Sequence, residues 1–200
     1  MIEVLLAVTV FSIVAVSGLS IMNQGAASAQ RSLEITLVRQ QMDAQAETLR
    51  FMYESALAQR STGGGAPAAG SAEAKWNQVL ALRKSQATPF TSMVSATRCS
   101  AYRANGTFDT VVTQAFVMKT KTASVFSDTS SWRAAETYSR VRYASPSDPT
   151  IVRVDGMWIE AVRQSATTVG GVTLPGYTDF HIRACWSAMG QAQPATLGTI

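Results

Sequence analysis

The side chains that could do chemistry in this 200-residue chain are few and lie far apart. The chain has two cysteines, Cys99 and Cys185, and one histidine, His181, which lies shortly before the second cysteine. A histidine can activate a cysteine as a nucleophile only when the thiol is free. Neither a CxxC pair nor a His/Cys cluster nor a GxSxG motif occurs. The sequence therefore predicts no catalytic site, no metal site and no cofactor.

The two cysteines are better explained by a structural role. The first 22 residues are apolar, which implies export to an oxidising compartment, where we expect a single disulfide between Cys99 and Cys185. Closing so long a loop would stabilise the fold by on the order of 4 kcal/mol in the loop-entropy model. The alternative is a pair of unconnected buried thiols. A disulfide would also remove the thiolate that a Cys/His pair needs.

Glu3 is the only ionisable side chain in the apolar stretch of residues 1–22. As an α-helix this stretch spans ~33 Å, which is enough to cross the hydrocarbon core of a bilayer. A carboxylate near the end of such a helix is costly unless a cation pairs with it, so we interpret Glu3 as a functional contact. The alternative is that Glu3 only reaches up to the lipid headgroups.

The apolar stretch continues into an amphipathic helix without a break. Residues 23–60 contain no proline, and their larger apolar side chains recur at helical spacing along one face. Together the two halves predict one helix of ~85–90 Å. This continuation, and an acid where a signal peptide carries Lys or Arg, argue against a signal peptide cleaved after Ala29. The predicted apolar face consists of Ile35, Val38, Met42, Leu49, Met52, Tyr53 and Leu57.

Residues 61–97 connect this helix to the rest of the chain. They begin with a Gly-rich linker that ends at Gly70. Ser71 is a typical N-cap, and it predicts a short helix that ends near Lys84. A loop is expected over residues 85–97. The predicted buried face of the short helix consists of Trp76, Val79 and Leu80.

Residues 98–200 carry the patterns of an antiparallel sheet. Asn105-Gly106 predicts a turn between strands in residues 99–103 and 108–118, and Asp155-Gly156 predicts a hairpin between residues 151–154 and 157–163. Weaker strands are expected in residues 124–126 and 136–143. The last strong strand is predicted over Tyr177–Ala188, with Cys185 on one face and Phe180, Ile182, Ala184 and Trp186 on the other.

These segments predict an α+β fold. A long N-terminal helix, apolar over residues 1–22 and amphipathic over residues 23–60, packs on a C-terminal antiparallel β-sheet. The sheet occupies residues 98–200 and forms a head that one disulfide ties together.

The first residues of the chain resemble a known N-terminus, that of type IV pilins and the related pseudopilins. Residues 2–15 read Ile-Glu-Val-Leu-Leu-Ala-Val-Thr-Val-Phe-Ser-Ile-Val-Ala. Mature pilins carry a glutamate at the fifth position, after an aliphatic pair, whereas this chain has its glutamate at the third. If Met1-Ile2 is that pair, we expect two further mature residues and a short basic leader before Met1. The chain also lacks the proline that is common near the end of the apolar half.

The resemblance implies the pilin fold and a mode of assembly. The apolar helix would leave the membrane for the core of a helical homo-oligomer, in which Glu3 pairs with the free N-terminal amine of a neighbouring subunit and sets the register. A prepilin peptidase would process the chain, and the pilus assembly machinery would insert it. The subunit would reside in the cytoplasmic membrane before assembly and in an extracellular pilus afterwards.

We therefore expect a structural subunit of a type IV pilus, serving adhesion, motility or DNA uptake, and not an enzyme. Two alternatives stay open: a minor pilin or pseudopilin of a type II secretion or competence machine, and a plain membrane-anchored extracellular domain. The net charge of +4 is spread along the chain. Direct binding of nucleic acid would need clustered Arg and Lys with exposed aromatic residues, and the sequence offers only scattered candidates.

Overall fold

The computed structural model describes most of the helical part of the chain and about half of the sheet-forming part. The predicted arrangement, a long N-terminal helix followed by an antiparallel sheet, is confirmed within these residues. The described residues are 2–62, 65–88, 90, 94–95, 98–99, 114–127, 140–142, 155–186, 188 and 191–200.

The two helices are joined by the Gly-rich segment. Helix α1 runs without interruption over Ile2–Thr62, so its 61 residues make a rod of ~92 Å. Helix α2 covers Ala72–Ala81, and the Ser71 hydroxyl caps it by accepting a hydrogen bond from the Ala74 N–H at 3.1 Å. The prediction that this helix reaches Lys84 is wrong, because the chain leaves the helix at Leu82 and enters a strand.

The described strands are short except for two that form the centre of the main sheet. We number them in chain order. They are β1 (Lys84–Ser85), β2 (Val94–Ser95), β3 (Arg98–Cys99), β4 (Ala115–Lys119), β5 (Ser124–Phe126), β6 (Arg140–Arg142), β7 (Asp155–Gln164), β8 (Thr167–Val169), β9 (Val172–Leu174), β10 (Tyr177–Trp186) and β11 (Ala195–Thr199).

Strand β7 organises the main sheet, whose path is β11-β10-β7-β4-β5. One edge of β7 pairs with β10 along nearly its whole length, with Ile159 opposite Ile182. The other edge is shared by β6, β4 and β1 in turn. Strand β1 runs parallel to β7, so the sheet is not purely antiparallel as predicted. Two separate hairpins, β2–β3 and β8–β9, complete the described strands.

Some predicted turns and loops are wrong. Asp155-Gly156, predicted as a hairpin turn, forms the first two residues of β7, where Gly156 is opposite Cys185 on one side and Arg140 on the other. Pairing on both edges outweighs the local turn preference of the dipeptide. Val94–Ser95 forms a strand where a loop was expected. All of residues 100–113, which include Asn105-Gly106, and residues 151–154 lie outside the described part of the chain, so those turn and strand predictions stay predictions.

The hydrophobic core lies between α1 and one side of the main sheet, which we call the helix side. Along β7 the alternate residues Met157, Ile159 and Ala161 face α1, and Ile182 and Ala184 of β10 extend the same surface. From the helices the core receives Val38, Met42, Leu49, Met52, Ala56, Trp76 and Val79.

The buried line of α1 is narrower than predicted. Val38, Met42, Leu49 and Met52 are buried, but Ile35, Tyr53 and Leu57 are exposed by 38%, 46% and 46%. At ~100° per residue these three lie to one side of the buried line. A helix on a sheet makes contact along one strip only, so apolar residues at its margin remain in contact with solvent.

Gln45 is a polar side chain within this strip and is fully buried. Its amide Nε2 donates to the Met118 carbonyl at 2.8 Å, and its Oε1 accepts from the Met118 N–H at 3.1 Å. Gln45 thus pairs with the β4 backbone as a neighbouring strand would. This contact fixes where α1 sits along the sheet, since a shift by one residue would leave both backbone groups unpaired.

We predict that Gln45→Leu lowers the free energy of unfolding by about 2–5 kcal/mol, because two buried backbone groups lose their partner. Denaturant unfolding of the chain in detergent micelles measures this change. Gln40→Leu, at an exposed position of the same helix, is the matched control and should change the stability by less than about 0.5 kcal/mol. Equal effects of the two substitutions would contradict this role of Gln45.

Candidate assembly segment and buried charged cluster

The first part of α1 projects away from the sheet. No described residue from Ile2 to Leu37 is buried, although this stretch contains most of the large apolar side chains of the helix. Helix α1 is the one described helix that is long and apolar enough to cross a membrane, a property that membrane anchors share with signal sequences. The structure therefore presents an apolar surface that the head itself does not cover.

Three hydroxyl groups in the apolar half of this segment donate hydrogen bonds within the helix. Thr9 donates to the Leu6 carbonyl at 2.8 Å, Ser12 donates to Val8 at 2.8 Å and Ser17 donates to Ile13 at 2.7 Å. A hydroxyl that bonds its own helix needs no water, so it enters a dry environment at low cost. The segment is thus suited to lipid or to a bundle of helices in spite of its polar residues.

Glu3 lies in the first turn of α1 and makes no hydrogen bond or ion pair with any described residue. A carboxylate there interacts favourably with the helix dipole, but only by ~0.3–1 kcal/mol. Transferring the charge to a dry environment costs several kcal/mol. The helix dipole therefore does not compensate for the free-energy cost of burying the charge. A buried Glu3 needs a cation from outside the described chain.

The amphipathic part of α1 carries a second apolar surface besides its buried strip. We call it the outer line. Leu33, Leu37 and Phe51 are exposed by 65%, 59% and 64% and lie within ~40° of one another around the helix. The same line continues into the apolar half through Leu19 and Met22. Five charges of this half lie on the adjacent face of the helix, which we call the charged face: Arg39, Asp43, Glu47, Arg50 and Glu54.

A disulfide joins Cys99 to Cys185, the pair that was expected from the sequence. It links β3 to the last third of β10, and both cysteines are buried. Cys185 lies on the side of the main sheet opposite α1, which we call the far side. The bridge therefore attaches the β2–β3 hairpin to the far side of the sheet and leaves no thiolate beside His181.

The far side of the sheet also holds a buried charged cluster that was not predicted from the sequence. Glu160 of β7 is fully buried, and its carboxylate accepts from Lys84 Nζ at 2.7 Å and from Trp158 Nε1 at 2.8 Å. Arg183 of β10 approaches the same carboxylate at 3.4 Å. Glu160 is the one acid in the apolar run from Met157 to Val162, which is the signal that could have pointed to this site.

The cluster positions strands and is closed to solvent. Lys84 is only 2% exposed, so its amine is not accessible to a substrate. Because a lone buried charge costs about 3–5 kcal/mol, Lys84 requires Glu160, and Glu160 requires the cations Lys84 and Arg183. Their bond holds β1 against β7, which explains why the chain leaves α2 early enough to place Lys84 in a strand.

His181 is half-buried beside this cluster and opposite Glu160 in the β7–β10 register. Its ring meets the Phe90 ring edge-on at 4.4 Å between centroids, and Arg183 lies over the same Phe90 ring at 5.1 Å. Burial lowers the pKa of His181 below 6.5, and Arg183 lowers it further, although Asp179 and Glu160 act in the opposite direction. Within the described residues, no group of three His, Cys, Asp or Glu side chains could hold a metal ion.

We predict that His181 makes the stability of the protein depend on pH. The unfolded state has the higher pKa, so it binds more protons between pH 6.5 and the lower pKa of the folded state. The free energy of unfolding should therefore fall as the pH falls through this window. His181 is the only histidine of the chain, and His181→Gln should flatten the dependence. Denaturant unfolding at a series of pH values between about 7 and 5 tests this; an unchanged slope in the variant would contradict it.

Comparison of the chain with protein-family models, with curated proteins and with solved structures finds no match. The function is therefore argued from the geometry of α1 and of the head it carries.

Proposed function

We propose that this protein is a structural subunit of a type IV pilus, which polymerises through α1 into an extracellular filament. The observation that carries the proposal is the exposed apolar surface of α1. Thirteen large apolar side chains between Ile2 and Met22 are exposed. At ~1.5–3 kcal/mol each, leaving them in water costs roughly 20–40 kcal/mol, so this surface is covered in the working state of the protein.

Two environments cover such a helix, a lipid bilayer and a bundle of similar helices. A bilayer accounts for residues 2–22, whose length of ~32 Å matches the hydrocarbon core. It does not account for the outer line. Leu33, Leu37 and Phe51 lie up to ~74 Å from the start of the helix, well beyond any bilayer core. A bundle of α1 helices covers both surfaces at once, which favours a filament over a plain membrane anchor.

Glu3 has a specific role in this proposal. In the core of the filament its charge needs a partner, and the free N-terminal amine of a neighbouring subunit supplies one. Such a pair forms only when adjacent helices are at the correct height relative to each other. Glu3 then sets the register of assembly, whereas the apolar surface supplies the binding free energy without fixing a position.

The proposal includes the route by which the subunit reaches the filament. A prepilin peptidase processes the chain, the apolar half of α1 holds it in the cytoplasmic membrane, and the assembly machinery transfers it to the pilus. The disulfide between Cys99 and Cys185 agrees with a head that folds outside the cytoplasm. A minor pilin or a pseudopilin uses the same helix, and the abundance of the chain in sheared filaments distinguishes these from a major subunit.

We predict that Phe51→Glu lowers the yield of sheared filaments at least roughly tenfold, because an unpaired charge enters the helix bundle. Thr36→Glu, which adds the same charge to the charged face of the same helix, is the matched control and should leave the yield nearly unchanged. Membrane fractionation should recover both variants in the membrane. Wild-type filament yields from Phe51→Glu would show that the outer line has no part in the bundle, and the absence of filaments from the unchanged chain would favour the plain anchored domain.

We predict that Glu3→Ala also abolishes ordered filaments while the protein still inserts in the membrane. The substitution removes a charge from an exposed position of the helix, so the head should fold normally. Electron microscopy of sheared material and membrane fractionation are the two measurements. Regular filaments from Glu3→Ala with the wild-type helical symmetry would remove the register role given to this residue.

A further inference from the structure

The β8–β9 hairpin extends beyond the main sheet as a separate arm. It is the continuation of the β7–β10 ribbon, and its strands pair only with each other among the described strands, with Val169 opposite Val172. Gly170 and Gly171 form the two-residue turn, with φ of 61° and 83°. This left-handed backbone is the one that a tight hairpin requires and that glycine adopts at least cost.

The two faces of the arm differ in chemistry. Val169, Val172 and Leu174 lie on one face, with Thr167 opposite Leu174, and the three apolar side chains are exposed by 63%, 63% and 54%. Thr168 and Thr173 lie on the other face, and their hydroxyls are 3.2 Å apart. No ionisable side chain occurs from residue 165 to residue 176. The arm is thus a charge-free hairpin with one apolar face in water.

The arm lies at the end of the head that is farther from the apolar half of α1. At one end of β10, Trp186 donates to Glu34 near the start of the packed part of α1, at 3.2 Å. At the other end, the Phe180 ring contacts the Trp76 ring, which contacts the Tyr53 ring. The hairpin continues from this second end.

The angle of the arm is fixed at its base. A Cβ atom at Gly176 would lie 2.7 Å from the Gln164 carbonyl oxygen and 3.1 Å from the Ala166 nitrogen. The two backbone segments of the hairpin therefore approach each other closely where the arm leaves the sheet, and only glycine permits this approach. The arm is presented in a defined direction, as expected of a contact surface.

The size of the apolar face decides what can cover it. Three side chains make a patch of at most a few hundred Å², whereas a stable interface buries about 800 Å² on each partner. The arm cannot hold a freely diffusing partner by itself. It suits a partner that another contact already keeps close, because tethering raises the effective concentration to roughly millimolar. The filament proposed above keeps a second copy of this chain at that distance.

We propose that the apolar face of the β8–β9 hairpin packs on the head of a second copy of this chain, and so joins neighbouring heads in the assembled filament. This inference rests on the proposed function for the proximity of the second copy. The helices supply most of the binding free energy, and the arm adds a contact at the opposite end of the molecule.

Site-specific photo-crosslinking of the full chain in filaments tests the inference. A benzophenone side chain is placed at position 172 in one variant and at position 173 in the other. The two positions are adjacent in the sequence but lie on opposite faces of the arm, so Thr173 is the matched control. We expect the probe at Val172 to give a crosslinked dimer of the chain, in at least about fivefold higher yield than the probe at Thr173.

The outcomes separate the two proposals. If filaments form but the two probes give equal dimer yields, or the Val172 probe crosslinks only a different protein, the inference about the arm is wrong and the proposed function stands. If no filaments form and neither probe gives a dimer, both fail together. Val172→Glu gives a second measurement: it should make filaments dissociate at least roughly tenfold faster on heating than Thr173→Glu, and equal rates would also overturn the inference.

Discussion

The head leaves the most apolar surface of the protein uncovered, and most other features of the structure follow from this constraint. A helix that must be covered by lipid or by other helices has to satisfy its polar groups internally, and Thr9, Ser12 and Ser17 do so. It must also reach the head without a break, and α1 continues as one helix to Thr62. The head then has to be attached firmly to only one strip of that helix, so that the outer line stays available.

The sheet around strand β7 provides this attachment, and different interactions stabilise its two sides. On the helix side, apolar packing is fixed in position by the Gln45–Met118 pairing. On the far side, charge pairing around Glu160 and the Cys99–Cys185 bridge connect segments that are distant in sequence. Apolar contacts tolerate small shifts, whereas hydrogen-bonded and covalent contacts do not. The combination gives the head one defined position on α1.

Features with a strong local signal could be predicted from the sequence. The absence of proline and the helical spacing of Val38, Met42 and Met52 were enough to predict helix α1. The alternation of apolar residues along the last strong strand was enough to predict that Ile182 and Trp186 face the core.

Features set by distant partners could not be predicted. The turn preference of Asp155-Gly156 gave way to pairing on both edges of β7. Lys84 entered a strand because Glu160, 76 residues away, binds it. The outer line was not predicted because three apolar residues spread from Leu33 to Phe51 give a weaker helical pattern than the core-facing strip, although they share one face of the helix.

The contact between α1 and β10 has a mechanical consequence. Trp186 touches the helix at Glu34, and Phe180 reaches Tyr53 through Trp76, so the strand and the helix lie side by side over several turns. A load applied along the axis of α1 acts on all these contacts in shear and simultaneously. It therefore does not break them one after another. Because the backbone of α1 is uninterrupted, it transmits the load directly to these contacts with β10. The head is therefore fastened to its helix in the geometry that best resists tension along the long axis of the molecule.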